Sequence, residues 1–399
     1  MDRTLWHESF AVYGVAVGEI LVADSFLHPR RGLVECAVAP ALAARLGPAA
    51  RRGQAQLGQW HGEGLLYTTT YLTKDGHAEG FGVAAHCDDP AALATARETM
   101  DVWSRTPRMR RVLVSGVEPR CMGATRALRT MEETGRRGPA YVIGRPPEAD
   151  GLIEIDDLSE VPDGGTVVFP AHGVPLGVRA EAAARGLRVV DATCPLVTEA
   201  LGELRRFADR GDTVVIVGRR DHRAIGSFTG QAPDDTVLVE NEEDIRHLDL
   251  PERISYVVET GMAADEAARL VTALRARYPL ARGPHPDGWC YAASDRADTV
   301  RAIAEAADLM LICGDRDSAD ARELAGLTTG TPTQTLADLA DLDPVGLADA
   351  ATIGLAVALP AKPRLTAAVI QALAGLGPLS VVRRRVVSET AAIPGSQVV

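Results

Sequence analysis

Val167-Val168-Phe169-Pro170-Ala171-His172-Gly173-Val174, continued by Val189-Val190-Asp191-Ala192-Thr193-Cys194-Pro195-Leu196-Val197-Thr198, is the stretch on which the reading of this chain turns. Each half is a short apolar run of strand character that breaks into a polar turn and then into a helical pattern. In open α/β sheets, ligands sit in the crevice beyond the carboxyl ends of such strands, so His172 and Cys194 are expected to face one cavity. Taken singly, each has a plainer reading: a satisfied core histidine and a small buried thiol.

The cysteine pattern recurs. Arg111-Val112-Leu113-Val114-Ser115 runs into Glu118-Pro119-Arg120-Cys121 and a helical stretch from Met122 to Glu133; Cys194 opens a helix to Asp209; Cys290, after Pro284-His285-Pro286-Asp287-Gly288-Trp289, opens Tyr291 to Ala307. One cysteine before each helix, each after a turn, predicts a threefold α/β pseudo-repeat with one thiol per unit. A helix N-terminus carries partial positive charge and favours thiolate, which is a metal ligand or a nucleophile. Three converging thiolates suit three irons of a 4Fe-4S cluster and leave the fourth iron open; full four-cysteine ligation suits electron transfer, an open iron suits substrate chemistry. Zinc held by three cysteines and a histidine is the alternative metal reading, but the close Cys-x-x-Cys pairs usual in such sites are absent.

Pro119-Arg120-Cys121, Glu160-Val161-Pro162-Asp163-Gly164, Ala171-His172-Gly173-Val174, Asp191-Ala192-Thr193-Cys194-Pro195-Leu196-Val197-Thr198 and Cys290-Tyr291-Ala292 together resemble the 4-hydroxy-3-methylbut-2-enyl diphosphate reductases, the LytB-type iron-sulfur proteins. The likeness runs in order over about residues 110–385. It implies an α/β fold of three pseudo-repeated units around a central cluster cavity. It further implies Cys121, Cys194 and Cys290 as ligands of a 4Fe-4S cluster, and two-electron reductive removal of an allylic hydroxyl. A reduction implies an electron donor such as ferredoxin or flavodoxin.

The same resemblance assigns substrate contacts to His172 and His222, matches Ser318 to the first serine of a Ser-Ser-Asn phosphate loop, and sets Thr260 at or next to a Thr-Thr pair. Other positions depart from it. The Pro-Glu that follows the second histidine, whose glutamate belongs to the proton relay, is Arg223-Ala224 here, and an alkyl side chain transfers no proton. No histidine stands between Val142 and Glu160, the rest of the phosphate loop reads Ala319-Asp320, and Pro360 replaces a final serine. Carboxylates in a diphosphate site add like-charge repulsion. The expectation is therefore a hydroxyl-bearing small-molecule substrate altered from the family's, removed by reductive dehydroxylation or dehydration, with Ser318 and Asp320 among its contacts. Glu259, in the place of a family glutamine, is either the replacement acid, with Thr260 its neighbour in catalysis, or an ordinary exposed carboxylate. The family's own reaction, and a non-catalytic iron-sulfur sensor or partner subunit, are the alternatives.

A net charge of −12 and a pI near 5.3 argue against nucleic acid and anionic membranes as partners. The start lacks a signal-peptide pattern and no run approaches eighteen apolar residues, so a cytoplasmic protein with reduced thiols is expected. Residues 1–105 fall outside the resemblance and read as an additional small α+β domain, with strands at 12–22, 64–72 and 80–84 and helices at 39–46 and 90–100. Its Cys36 and Cys87 are either buried thiols or metal ligands with His61, His77 or His86. Arg105 to Arg111 reads as a linker or a solvated basic run, residues 111–385 as the main body, and 386–399 as a tail.

Overall fold

The strand read across Val12–Val22 is two strands. In the computed structural model, which describes residues 5–58, 62–144 and 150–390, β1 (Trp6–Tyr13) and β2 (Ile20–His28) flank a turn. Gly14 and Gly18 take φ of 73° and 86° there, a left-handed backbone that glycine enters without a Cβ clash. With β3 (Gly32–Glu35), β4 (Ala50–Leu57), β5 (Gly64–Leu72) and β6 (Ala78–His86) they close a barrel in the order β1-β4-β2-β3-β6-β5. Closure leaves no unpaired edge. β4, Ala-Arg-Arg-Gly-Gln-Ala-Gln-Leu, is too polar to announce itself from sequence; its pairing with β2 makes it a strand. Helices Ala39–Leu46 and Pro90–Trp103 follow the expectation, the second capped by Asp89, which accepts the Ala92 N–H at 3.0 Å.

Strand and helix then alternate. β7 (Arg110–Ser115) is followed by β8 (Ala140–Ile143), β9 (Leu152–Ile155), β10 (Thr166–Phe169) and β11 (Arg188–Asp191), the last four forming a parallel sheet β11-β10-β8-β9. β12 (Thr213–Val217), β13 (Thr236–Val239) and β14 (Ile254–Val258) form a second, β13-β12-β14. β15 (Leu309–Cys313), β16 (Thr333–Leu336), β17 (Thr352–Val357) and β18 (Leu379–Arg384) build a third around β7, in the order β16-β15-β17-β7-β18. All three sheets are parallel with helical crossovers. Every residue of β14 and β15 is buried, which is why these strands read as unbroken apolar runs. The α/β class and its three sheets agree with the sequence expectation.

The chain divides into two compact units, one of residues up to 119 with 297–386, the other of residues 120–296 with the segment from 387 onward. In the first, one hydrophobic core joins barrel residues such as Val22, Phe26 and Phe81 to Leu311, Leu355 and Val369 of the β7 sheet and its covering helix. Within the run Arg105–Arg111, Arg105, Met109 and Arg111 are exposed, but Arg110 is not. Arg110 is 1% exposed and its guanidinium donates to the carbonyls of Leu376 (3.2 Å), Thr106 (2.5 Å) and Leu347 (2.9 Å). Burial, with Arg108 nearby, lowers its pKa to about 10, so it stays charged at neutral pH. Replacing Arg110 by Met strands three carbonyls, and a loss of about 3 kcal/mol in chemical denaturation is expected. An unchanged unfolding midpoint would remove this pin from the account of the core.

Candidate active site

The second unit carries the cysteines. Cys121 caps the helix Met122–Gly135, its Sγ accepting the Ala124 N–H at 3.4 Å. Cys194 stands at the N-cap of Pro195–Asp209, and Cys290 stands two residues before the helix Ala292–Glu305, after a short 3₁₀ turn at Pro286–Gly288. Two of these sulfurs meet over one glycine. A Cβ placed on Gly123 would lie 2.5 Å from Cys194 Sγ and 3.9 Å from Cys121 Sγ. The third joins them electrostatically. Burial raises the Cys290 thiol pKa, the Ala292 N–H opposes the rise, and the sulfurs of Cys121 and Cys194 and the carboxylate of Glu259 add to it.

The strand ends deliver these groups together. Cys194 N–H donates to Ala171 O at 2.9 Å, tying the cysteine turn after β11 to the histidine turn after β10. Asp191 shapes that turn: it accepts the Thr193 N–H at 3.0 Å and the Arg179 guanidinium at 2.6 Å, while Arg126 donates to Thr193 O at 3.3 Å. Burial pushes the Asp191 carboxyl up, but the bonds from Arg179 and Thr193 outweigh it and hold it below the usual carboxylate range. A depressed folded pKa stabilises the fold above the unfolded value, near 3.9, and that stabilisation is lost as pH falls through the folded one. Below about pH 4 the wild type should therefore lose thermal stability more steeply than Asp191→Asn, which has no such proton to take up. Parallel melting curves down the acid range would refute this.

His172 is neutral at pH 7. Burial lowers its pKa, Arg223 lowers it further, the contact with the Gly173 backbone opposes this, and His222 adds a smaller push downward. Its Nδ1 is enclosed and has no hydrogen-bond partner. Of the three arginines around His222, Arg219 pairs with Glu266 at 3.2 Å and Arg220 with Glu240 at 3.0 Å, whereas Arg223 is the one that acts on His172. The sequence offered no means of separating them.

His222 and Glu259 are in contact. Nδ1 of His222 lies 2.8 Å from Glu259 Oε1 and 3.4 Å from the Ala224 N–H; the shorter, charge-assisted contact governs, so Nδ1 carries the proton and donates it to the carboxylate. Glu259 is 1% exposed, and its backbone N–H is fixed to Val217 O at 2.8 Å. Oε1 also accepts the Gly261 N–H, while Oε2 is buried with no partner. Thr260 and Cys290 line a cavity of about 190 Å³ with Trp289, His285, Glu199 and Glu203. Glu199 and Glu203 were missed from sequence; their i,i+4 spacing on the helix that Cys194 opens was the available signal.

Ser318 and Asp320 belong to the first unit. Ser318 caps the helix Ala319–Leu327, accepting the Ala321 N–H at 3.1 Å, and Asp320 accepts the Leu359 N–H at 2.6 Å. Cys36 is buried, and burial pushes its thiol far up, as a small hydrophobe; Cys87 and His77 are exposed and His61 lies outside the described residues. Among the described residues no group of three His, Cys, Asp or Glu side chains is placed to hold a metal ion. No helix among them is long and apolar enough to cross a membrane.

Comparison with known proteins agrees with this layout. A family model described as LytB protein matches residues 112–374. A Mycobacterium bovis protein named 4-hydroxy-3-methylbut-2-enyl diphosphate reductase 2 is 38% identical over 298 residues, 70% of this chain and 91% of that protein. The 4-hydroxy-3-methylbut-2-enyl diphosphate reductase of Aromatoleum aromaticum is 36% identical over 286 residues, 68% of this chain and 91% of that protein. The solved E-1-hydroxy-2-methyl-but-2-enyl-4-diphosphate reductase of Plasmodium falciparum superposes with a TM-score of 0.60 at 26% identity, covering 71% of this chain and 95% of that one. With its cysteine turns, its three parallel sheets and these matches, the chain belongs to the LytB protein family and is an enzyme of the oxidoreductase class.

Proposed function

We propose that this protein is a 4-hydroxy-3-methylbut-2-enyl diphosphate reductase, using a 4Fe-4S cluster held by Cys121, Cys194 and Cys290. The observation that carries the reading is that three cysteines, each at or just before the start of a helix, belong to one unit. Three thiolates facing one another repel unless a cationic centre sits among them. In a 4Fe-4S centre each of the three cysteines would take a different iron. When bound, such a cluster supplies electrons and one iron free for the hydroxyl oxygen.

The expected change of substrate finds no support. The relatives quoted are named for the diphosphate reductase, and two features ease the charge objection. Asp320 is engaged with the Leu359 N–H, and the charge of Arg223 is felt at His172. A neutral imidazole and a guanidinium bind a phosphate without the penalty of a carboxylate. In this reading His172 and His222 bind and orient the substrate, and Thr260 and Glu259 act at the hydroxyl end. A ferredoxin- or flavodoxin-type donor delivers the electrons. The barrel, residues 6–86, lies outside the family match, and we take it as an addition to the reductase, apart from its chemistry.

Anaerobic reconstitution tests the reading. Iron and sulfide should be taken up with the visible absorption of a cluster, and the diphosphate should oxidise a reduced viologen dye and yield C5 diphosphates lacking the hydroxyl. A chain that takes up iron and sulfide but leaves the diphosphate unchanged would return the question to an altered substrate. One that takes up neither would favour the sensor or partner-subunit reading.

A further inference from the structure

Resting on the reductase reading above, we propose that Glu259 and His222 form the proton-delivering pair of this enzyme. Glu259 Oε2 is the atom that meets the substrate's hydroxyl, and His222 is the group that reloads it. The pair takes over the work left undone at Ala224, which is fully buried and carries no proton.

The two oxygens of Glu259 have different fates. Oε1 is satisfied twice, by the Gly261 N–H and by His222 Nδ1 at 2.8 Å, and these bonds hold the carboxyl plane. Oε2 is enclosed and has no partner. A carboxyl serving only the fold would have both oxygens bonded, because a buried unpaired acceptor is costly. Here the orphan oxygen belongs to the residue next to Thr260, which lines one cavity with Cys290. It is an acceptor, or once protonated a donor, in want of a hydroxyl. His222, with a side chain 40% exposed, exchanges protons with water, which the 1% exposed carboxyl cannot do for itself.

The surrounding sequence makes room for this pair. A Cβ on Gly261 would lie 2.5 Å from His222 Nε2 and 2.8 Å from Glu259 Oε1, and a Cβ on Gly218 would lie 2.7 Å from Glu259 Cβ. The second place of a Thr-Thr pair carries a side chain that this geometry excludes; this chain has glycine after Thr260. Four positions thus agree with one another: the acid at 259, the histidine at 222, glycine at 261 and the alkyl residue at 224.

Reductive dehydroxylation breaks one C–O bond and forms one C–H bond. It consumes two electrons from the external donor and two protons, and releases water. Glu259 Oε2–H gives the first proton to the hydroxyl oxygen as the C–O bond breaks. The carboxylate left behind takes the Nδ1 proton of His222 at Oε1 while His222 Nε2 takes one from water, and a half-turn of the carboxyl in its own plane brings the new O–H to the substrate side. The second proton ends on the allylic carbon, supplied through the same reloaded pair.

The test uses the full chain, reconstituted anaerobically, as wild type, Glu259→Gln, and Glu259→Gln with Ala224→Glu. Glu259→Gln should keep its iron and sulfide and its spectral response to the diphosphate, but turn over about 10²–10⁴-fold more slowly; the added Ala224→Glu should recover at least about tenfold. A second readout needs no turnover: the ¹⁵N shifts of His222 should show the proton on Nδ1 in wild type and lose that preference in Glu259→Gln. The proposal is overturned if Glu259→Gln with a full cluster stays within about threefold of wild type, or if His222 carries its proton on Nε2 in wild type. Should the wild type leave the diphosphate untouched, the reductase reading fails, and the histidine signal alone upholds or removes the pair.

Discussion

Cys194→Ala is expected to abolish iron and sulfide uptake while leaving the fold assembled. Loss of a residue that merely supports a metal ligand weakens metal binding by about 10–100-fold, so loss of the ligand itself should exceed that, and reconstituted iron should fall by more than about tenfold. Turnover should fall with it below detection. The fold should tolerate the change, because Cys194 is only half-buried and its N–H to Ala171 O bond belongs to the backbone. Iron and sulfide analysis beside far-ultraviolet circular dichroism separates these effects. A variant that keeps its full iron content would show that the three sulfurs do not share a centre, and the proposed function would fall with it.

Gly123→Ala should do nearly as much damage from a residue that binds nothing. Helix propensity favours alanine over glycine by up to about 1 kcal/mol, so on local grounds the helix Met122–Gly135 should gain stability. The Cβ, however, arrives 2.5 Å from Cys194 Sγ and 3.1 Å from its Cβ, a contact that atoms do not tolerate. Either the cysteine turn or the helix start must shift. The expected result is a melting temperature close to wild type with iron content reduced at least about tenfold, the scale on which displaced supporting groups weaken metal sites. Equal iron content in both proteins would mean that the two sulfurs are not held at the spacing described.

Much of the fold was legible because parallel α/β architecture writes itself locally. Strands buried on both faces are apolar from end to end, as in Leu309–Cys313 and Ile254–Val258, and the turns between them carry glycine and proline. Where strands are short and mixed, as at Leu152–Ile155 and Thr333–Gln334-Thr335-Leu336, only the neighbouring strand makes them visible. The N-terminal barrel was harder for the same reason: β4 is a strand by partnership with β1 and β2, and a turn with two left-handed glycines was hidden inside one apolar run.

The candidate site divides in a similar way. The cysteines and His172, at the ends of strands and starts of helices, followed from residue type and local period, whereas His222 and Glu259 were picked out only by the family resemblance. Contact did not. That Asp320 is spent on the Leu359 N–H, and that the charge of Arg223 is felt at His172, are facts of distance between segments far apart in the chain. Residue type and hydrophobic period, read along the chain alone, were enough for three α/β sheets and three capping thiols, because propensity and capping act over a few neighbouring residues. The pairing of His222 with Glu259, 37 positions apart by their numbers, and the oxygen left over on that carboxyl were decided only by the packing of β14 beside β12, because hydrogen bonds between distant residues exist only once tertiary structure brings them within about 3 Å.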